Sequence, residues 1–247
     1  MSITAAELIL FGSASKPTAD TGTSGGVIDL LNRPVFTQMT SNKKLSVKSS
    51  AADTRVITVT GRDPTGAVVT EAITLNGTAE VDSVNTYERL QSCTVPTSSG
   101  TLTISIYQDV SFATLLATIP INEKGFYMLF QNAFSAAGIE TRYEKAFWYN
   151  SDSTLTLTSS NVTLTADASG TINIGLATAV GDSGSVANRL SAPGGVSFVG
   201  TSTAQNVPGG GNLPATNGIG MWVLQTLSSN LAAQKNSFTT QLQGQTT

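Results

Sequence analysis

Short stretches in which apolar residues alternate with hydroxylated residues recur along most of the chain. The clearest early example is residues 55–77, RVITVTGRDPTGAVVTEAITLNG, where two runs rich in Val, Ile and Thr flank residues 63–66 (DPTG). A period of two places apolar side chains on one face of a strand and hydroxyl groups on the other. Because Pro64 presets φ and Gly66 tolerates a left-handed backbone, the DPTG segment predicts the turn of a β-hairpin.

Glu71 interrupts this alternation, because it falls on the apolar parity of the second run. A charged residue at such a position lies at the rim of the sheet, is re-aimed by a β-bulge, or is a buried functional carboxylate. We favour the rim.

Further strands follow at short intervals and are separated by turn residues. Residues 85–95 (NTYERLQSCTV) and 100–108 (GTLTISIYQ) both read as strands. Together with the hairpin they indicate an antiparallel sandwich or half of a barrel. Residues 110–118 (VSFATLLAT) are compatible with a short helix, which Pro120 would end.

The second half of the chain repeats this pattern. Residues 153–178 predict three strands of a meander, with turns at SSN and ADASG. A Gly-rich stretch over residues 181–218 follows, and loops of such length are usually functional or disordered. Residues 219–227 and 235–244 predict two final strands, with Trp222 as a core anchor.

The pattern as a whole predicts an all-β protein built of antiparallel β-sandwich or jelly-roll-like modules, two in number. Residues 1–50 are rich in turn formers, which predicts an extended N-terminal arm that needs another surface to hold it. Residues 51–115 form the first predicted module and residues 116–247 the second. The boundary is drawn near residues 110–125, where aromatic residues become frequent.

The low content of charged residues indicates what kind of surface these modules have. Hydrophobic residues make up 40% of the 247 residues, enough for packed cores, whereas charged residues make up 12%, against roughly 25% in ordinary soluble domains. Ser, Thr, Asn and Gln must therefore cover much of the surface, and these side chains cost little to desolvate against a neighbouring subunit. A net charge of −3 provides no strong field for nucleic acid or anionic lipid, so we expect neither partner.

The one cysteine and the short lysine cluster do not indicate a reactive site. Cys93 is the one cysteine and the chain has no histidine to activate it, so we interpret it as a small core residue. The cluster of Lys43, Lys44 and Lys48 is either a solvated face or a contact with an acidic neighbour. The N-terminus lacks a basic leader, and no apolar run approaches the ~20 residues of a membrane span, so we expect synthesis in a cytoplasm without a recognisable export signal and no membrane partner.

Residues 181–184 (GDSG) imitate the nucleophile motif of trypsin-like serine proteases. That motif needs a histidine to take the proton of the serine, and the sequence has none. A dyad of Ser183 with Lys145 or Lys235 is formally open. We prefer a turn, which uses the same residue types.

Other ligand-binding patterns are incomplete. Lys16, in GSASKPT, lacks the glycine that precedes the lysine of a phosphate-binding loop, and residues 208–212 (PGGGN) lack the strand and helix of a dinucleotide fingerprint. We interpret both as loops. Asp152, Asp167 and Asp182 are scattered candidates for calcium, but no Asp-x-Asp spacing supports them, and zinc and transition-metal patterns are absent.

The segment around residue 145 concentrates charged and aromatic residues. Glu140 and Glu144, with Arg142 between them, allow a glycosidase-like carboxylate pair, although a solvated strand rim is the simpler interpretation. Residues 147–149 (FWY) cannot all share one face of a strand, which favours core packing over base stacking. We therefore predict no catalytic, cofactor-binding or metal-binding residue, no cofactor and no enzymatic activity.

Three phrases of the sequence resemble segments of virion structural proteins of tailed bacteriophages. They are VITVTGRDPTGAVVTEAITLNGT (56–78), TRYEKAFWYNSDSTLTLTSSNVTLTAD (141–167) and VPGGGNLPATNGIGMWVLQTL (207–227). The resemblance points to minor capsid, decoration and tail-associated proteins with immunoglobulin-like or jelly-roll modules. It covers residues 50–245 as a style of strand and turn, and it carries over no functional residue because such proteins act through surfaces.

The resemblance implies a virion protein that is assembled in the cytoplasm of a bacterial host, which agrees with the low cysteine content. The leading hypothesis is a capsid decoration or cement subunit bound in many copies to the major capsid protein, as a homo-oligomer for which a trimer is one arrangement. Residues 1–50 and 181–218 are the predicted contact segments.

Three alternatives stay open at this point. A tail, neck or fibre component would contact tail proteins instead. A carbohydrate-binding or adhesin module would present a flat platform of exposed aromatic residues. A hydrolase such as a depolymerase would require a carboxylate pair facing a groove.

Overall fold

The computed structural model describes residues 2–110, 114–133, 138–229 and 237–246. Over these residues the protein is all-β, with eighteen strands in four sheets and one short 3-10 helix at Ala5–Glu7. The all-β class predicted from the alternating pattern is confirmed.

The bounds of the strands, in chain order, are as follows. They are β1 (Leu8–Ser15), β2 (Ser24–Asp29), β3 (Asn32–Arg33), β4 (Leu45–Ser49), β5 (Val56–Arg62), β6 (Val68–Thr74), β7 (Val81–Asp82), β8 (Arg89–Thr94), β9 (Ile104–Gln108), β10 (Thr114–Ile119), β11 (Gly125–Tyr127), β12 (Glu140–Asn150), β13 (Leu157–Asp167), β14 (Ile172–Val180), β15 (Ser185–Val186), β16 (Ala204–Asn206), β17 (Asn217–Leu227) and β18 (Phe238–Thr246).

The chain forms two compact units, each with two sheets. The discontinuous unit consists of Met1–Asp29 and Leu129–Thr247, and the inserted unit consists of Leu30–Met128. In sequence, the inserted unit therefore interrupts the discontinuous unit between β2 and β12.

The discontinuous unit contains a six-stranded sheet, β14-β17-β12-β1-β2-β15, and a three-stranded sheet, β16-β13-β18. Its longest pairing joins β12 and β17 from Glu140 opposite Leu227 to Asn150 opposite Asn217. Apolar residues from both sheets form one buried cluster, because each strand turns alternate side chains inward. The fully buried members include Val162, Leu164, Ile174, Ile219, Met221 and Val223.

The inserted unit contains a five-stranded sheet, β3-β11-β8-β5-β6, and a four-stranded sheet, β10-β9-β4-β7. Its core includes Ile57 and Val59 from the first sheet and Ile104 and Ile106 from the second, all without exposed surface. Cys93 is fully buried in the same core, which confirms its interpretation as a core residue. Burial raises the pKa of the Cys93 thiol, so the nucleophilic thiolate is disfavoured.

The predicted hairpin is confirmed. Strands β5 and β6 pair in continuous register from Val56 opposite Thr74 to Arg62 opposite Val68. In the turn, the Gly66 amide donates to the Asp63 carbonyl over 2.9 Å, and Gly66 takes a φ of +87°. A tight turn closed by a left-handed glycine is a common three-residue hairpin connection.

Glu71 lies half-buried on β6, on the same parity as the buried Ile73. No bulge re-aims it, because the register with β5 is continuous through Val59 opposite Glu71. Its carboxylate accepts hydrogen bonds from the backbone amides of Val84 (2.6 Å) and Asn85 (3.0 Å). Glu71 therefore anchors the connection before β8, and its position on an outer strand of the sheet agrees with the rim interpretation.

The predicted N-terminal arm is wrong. Strand β1 pairs with β12, from Leu8 opposite Asn150 to Gly12 opposite Ala146, while β3 and β4 belong to the inserted unit. The predicted boundaries at residues 50 and 115 both fall inside that unit. The cause is that strands distant in sequence share a sheet, and a local alternation pattern does not identify its partner strand.

Two local predictions are also corrected. The stretch predicted as a short helix at 110–118 overlaps the strand β10 (Thr114–Ile119), and residues 111–113 lie outside the described residues. The SSN segment is not a turn, because β13 runs through it with a register shift against β18 and a φ of +50° at Ser159. Strands β13 and β14 belong to different sheets, so the predicted meander is a crossing between sheets.

The two last predicted strands are confirmed as β17 and β18. Residues 235 and 236, which the prediction included, lie outside the described residues. Trp222 in β17 is 3% exposed, as expected of a core anchor.

Candidate interaction surfaces and a buried ion cluster

Strand β12 places three charged residues in the interior of the discontinuous unit. Alternation puts Arg142 and Glu144 on one face of the strand and Lys145 on the other. All three have at most 2% of their surface exposed. Charged residues are almost never buried to this extent unless they are paired, so their partners decide what this segment can do.

Asp20 bridges two buried arginines. Its Oδ1 accepts from the Nε of Arg142 and the Nε of Arg189, each over 2.7 Å, and its Oδ2 accepts from Arg142 Nη2 over 2.8 Å. Hydrogen bonds from Arg142, with those from Arg189, hold the pKa of Asp20 below its ordinary value although burial opposes them. The bridge ties the segments around residues 20 and 189 to β12.

Glu144 completes this cluster. Arg189 Nη1 donates to Glu144 Oε1 over 3.2 Å and to the Gln131 carbonyl over 2.8 Å. Burial raises the pKa of Glu144 to about 7, although the Arg189 charge opposes the rise. We call Asp20, Glu140, Arg142, Glu144 and Arg189 the buried ion cluster.

The geometry does not favour a glycosidase pair. Glu140 Oε2 accepts from Arg142 Nη2 over 2.5 Å, and Glu144 is held by Arg189. Both carboxylates are thus engaged by arginine, and Glu144 is buried, with 2% of its surface exposed. A glycosidase needs its two carboxylates to flank a substrate in a groove.

Lys145 lies beside the GDSG segment, a proximity that no local sequence pattern predicts. Its Nζ contacts the Asp182 carboxylate and donates to the carbonyls of Gly184 (3.0 Å) and Gly26 (3.2 Å). The same Nζ lies 5.4 Å from the ring centroid of Trp222, within the range of a cation–π contact. Burial lowers the pKa of Lys145, and Asp182 opposes that shift.

Ser183 is exposed, whereas the Lys145 ammonium contacts Asp182, Gly184 and Gly26. The segment is a turn in which Gly181 has a φ of +71° and the Gly184 amide donates to Asp182 Oδ1 over 3.0 Å. The turn interpretation is confirmed. Lys235 lies outside the described residues.

The calcium candidates occupy three separate turns. Asp152 accepts from the amides of Thr154 and Leu155, each over 2.7 Å. Asp167 accepts from the Ile172 amide over 2.8 Å. In the part of the chain that the structure describes, no three His, Cys, Asp or Glu side chains come together as a metal site would require.

The remaining sequence candidates have structural partners. Lys16 forms an ion pair with Asp29, and the glycines of residues 208–212 have φ near +80° in a turn. Lys43 pairs with Asp109 over 2.6 Å.

The aromatic run of β12 packs inward as expected. Phe147 is 1% exposed, and Trp148 packs against the core cluster of the unit. The Tyr149 ring meets Phe11 edge-on at 5.8 Å between centroids. Core packing is thus confirmed, and the run presents no flat platform for a base or a sugar.

The outer face of β5, β6 and β8 carries a group of small hydroxylated side chains, with the exposed Val56, Val68 and Ala72 beside them. Along β5, β6 and β8, outward-facing residues alternate with buried core residues, and the outward-facing residues of neighbouring strands lie opposite one another. We call this surface the threonine face, and it consists of Thr58, Thr60, Thr70, Thr74, Ser92 and Thr94. The first charged residue that follows on this side of β5 is Arg62, at the hairpin end.

The three-stranded sheet has an outer face of amides and hydroxyls. Asn161 lies opposite Asn206 of β16 and opposite Gln243 of β18, so one row of amides crosses all three strands. We call this surface the amide face, and it consists of Asn161, Thr163, Asn206, Gln241, Gln243 and Gln245. Both faces match the uncharged surface that the composition predicts.

The Gly-rich stretch over residues 181–218 packs largely on its own unit. Val199 exchanges two backbone hydrogen bonds with Ile174, of 2.9 and 3.0 Å, and Leu213 pairs with Leu157. A Cβ added at Gly175 would lie 2.8 Å from the Ser197 carbonyl oxygen, so the stretch lies close against β14. Its contacts with neighbouring molecules stay a prediction.

Sequence reasoning missed Asp20 and Arg189. Their ion pair spans 169 positions in the sequence, and no spacing rule connects residues so far apart. One signal was available, because charged residues are only 12% of the chain. Asp182 and Arg189 are the two charged residues of the Gly-rich stretch over residues 181–218, and a single arginine among so many neutral residues suggests a buried carboxylate partner.

Comparison with known proteins identifies no family. No family model and no curated protein matches the chain. One similar solved structure is that of an oxalate decarboxylase from Bacillus subtilis, studied for its Mn(II) centers; it is 10% identical over 93% of this chain and 79% of that chain, with a TM-score of 0.15. A score this low carries no argument about either protein. Among the described residues, no helix has the length and apolar character to cross a membrane.

Proposed function

We propose that the protein is a virion structural subunit of a tailed bacteriophage that decorates the capsid and acts through its sheet faces. The observation that carries the proposal is the distribution of charge. The fully buried arginines Arg142 and Arg189 are paired with carboxylates of their own unit, while the threonine face and the amide face expose uncharged side chains. Covering such a face costs less desolvation energy than covering charged side chains.

The resemblance of three sequence segments to virion proteins gives the proposal its biological setting. A subunit bound in many symmetric copies gains stability from each contact, since a standard interface buries ~800 Å² per partner. The threonine face is the surface that we assign to the capsid shell, because it is built on three neighbouring hydrogen-bonded strands, β8, β5 and β6. The major capsid protein is the proposed partner.

The proposal predicts that Thr58→Arg weakens binding of the purified protein to empty phage heads by at least about tenfold, because it places an unpaired charge inside the contact. Thr58 is exposed in the middle of the threonine face. Co-sedimentation with heads measures the affinity, and Thr78→Arg is the matched control, because Thr78 is exposed in a turn outside this face.

Equal binding by both variants would refute the assignment of the threonine face. Binding of the unaltered protein to purified tails and not to heads would contradict the decoration role and favour a tail component. A second measurement on the same sample is heat resistance, which we expect to be higher for decorated heads than for bare heads.

A further inference from the structure

Seven of the eight sheet edges in the described chain carry a feature that limits pairing with another strand. Unprotected edges expose free N–H and C=O groups and recruit foreign strands, so proteins shorten, cover or charge them. Strands β3, β7, β15 and β16 have at most three residues. The other three protected edges, formed by β14, β10 and β6, are longer and are protected in other ways.

Each of the three longer protected edges has its own feature that hinders pairing with a further strand. The edge of β14 is covered where Ile174 pairs with Val199. On β10, the Leu116 carbonyl accepts from the Thr37 amide over 2.8 Å, and a register shift follows Leu115. On β6, Glu71 is a charged residue on the inward side of the strand, a recognised edge protection.

Strand β18 is the exception. It is nine residues long, FTTQLQGQT, with no charged residue and no proline. It ends the three-stranded sheet, and its recorded strand partner among the described residues is β13. The register shifts of this pair place the extra residues on β13, so β18 itself runs regularly.

Within the described residues, no strand pairs with the outer edge of β18, and this edge presents backbone groups at alternate residues. The carbonyls of Thr239 and Gln245 accept from threonine hydroxyls of β13, each over 3.1 Å, so they point towards β13. Successive residues of a strand point their carbonyls to opposite sides. The carbonyls of Thr240, Leu242 and Gly244 therefore point towards the open edge.

We propose that β18 pairs antiparallel with β18 of a second copy, about a two-fold axis at Leu242, to join two three-stranded sheets into one. The absence of charge allows a copy of the same chain as the occupant, because no like charges meet when β18 lies against itself, and the self-complementary order of its polar residues favours this occupant. Leu242 is the middle residue of Phe238–Thr246, so this register pairs all nine residues.

The register is self-complementary on the amide face. Gln241 of one copy lies opposite Gln243 of the other, and Thr239 lies opposite Gln245, so amides and hydroxyls meet groups that can both donate and accept. The pairing is isologous and yields a dimer. This inference deepens the proposed function and rests on it, since it assumes that the chain works by assembly.

Two double variants test the register. Gln241→Lys with Gln243→Lys places like charges opposite one another across the axis, whereas Gln241→Lys with Gln243→Glu places opposite charges there. We expect the first variant to raise the dimer dissociation constant at least about tenfold and the second to leave it within about threefold of the unaltered protein. Sedimentation equilibrium measures the constant, against a chain mass of 25.5 kDa.

A monomeric unaltered protein at high micromolar concentration would overturn the inference, as would equal dissociation constants for the two variants. Equal urea midpoints of the two variants, measured where both are monomeric, would show that the difference lies in association. Binding to heads is measured separately: a dimer that does not bind heads removes the proposed function and keeps this inference. A monomer that binds heads removes this inference and keeps the proposed function.

Discussion

Replacing Arg189 with methionine is expected to lower the free energy of unfolding by about 3–5 kcal/mol at pH 8, because it leaves a buried carboxylate without its cation. Methionine keeps much of the aliphatic volume, so the loss reports the charge. Arg189 is fully buried and serves both Asp20 and Glu144. Urea denaturation followed by circular dichroism measures the change.

The matched control is Lys43→Met. Lys43 also forms an ion pair, with Asp109, but its side chain is 45% exposed. An exposed pair contributes about 0–1 kcal/mol, so we expect the control to stay within that range. A loss below about 1 kcal/mol for Arg189→Met would show that the buried ion cluster is not what holds the segments around residues 20 and 189 to β12.

The second large effect is the part of the pH dependence of stability that Glu144 contributes, which Glu144→Gln removes. Burial raises the pKa of Glu144 from an ordinary 4.5 to about 7 in the folded protein. Between these values the folded state binds more protons than the unfolded state, so the free energy of unfolding falls as pH rises. The expected fall attributable to Glu144 is on the order of 2–3 kcal/mol between pH 4.5 and pH 8.

The difference in unfolding free energy between the unaltered protein and Glu144→Gln isolates this group. Glu123, whose pKa burial also raises, is common to both proteins and cancels. Asp20 has a lowered pKa, so its contribution is lost at acid pH, below the window used here. A difference that is constant from pH 5 to pH 8 would mean that Glu144 titrates near its ordinary pKa.

The sequence predicted those parts of the fold that depend on neighbouring residues. Alternation identified β5, β6 and β17, and the residues of the DPTG turn specified the hairpin through the conformational preferences of Pro64 and Gly66. The core position of Cys93 followed from the absence of any group to activate it. These inferences need no knowledge of partner strands.

Pairing between distant segments could not be predicted in this way. The interruption of one unit by another hid the partnership of β1 with β12 and made residues 1–50 resemble an arm. The same limit applies to the buried ion cluster, since Arg189 and Glu144 are 45 positions apart. Composition predicts that the surface carries many uncharged polar residues. Which residues form each face can be stated only once the strand register is known.

A cryo-electron microscopy reconstruction of heads that carry the protein tests the central claim most directly. The account predicts copies on the outside of the capsid, with the threonine face buried against the shell. Heads that lack the protein, or copies whose threonine face lies in solvent while charged loops make the contact, would contradict it.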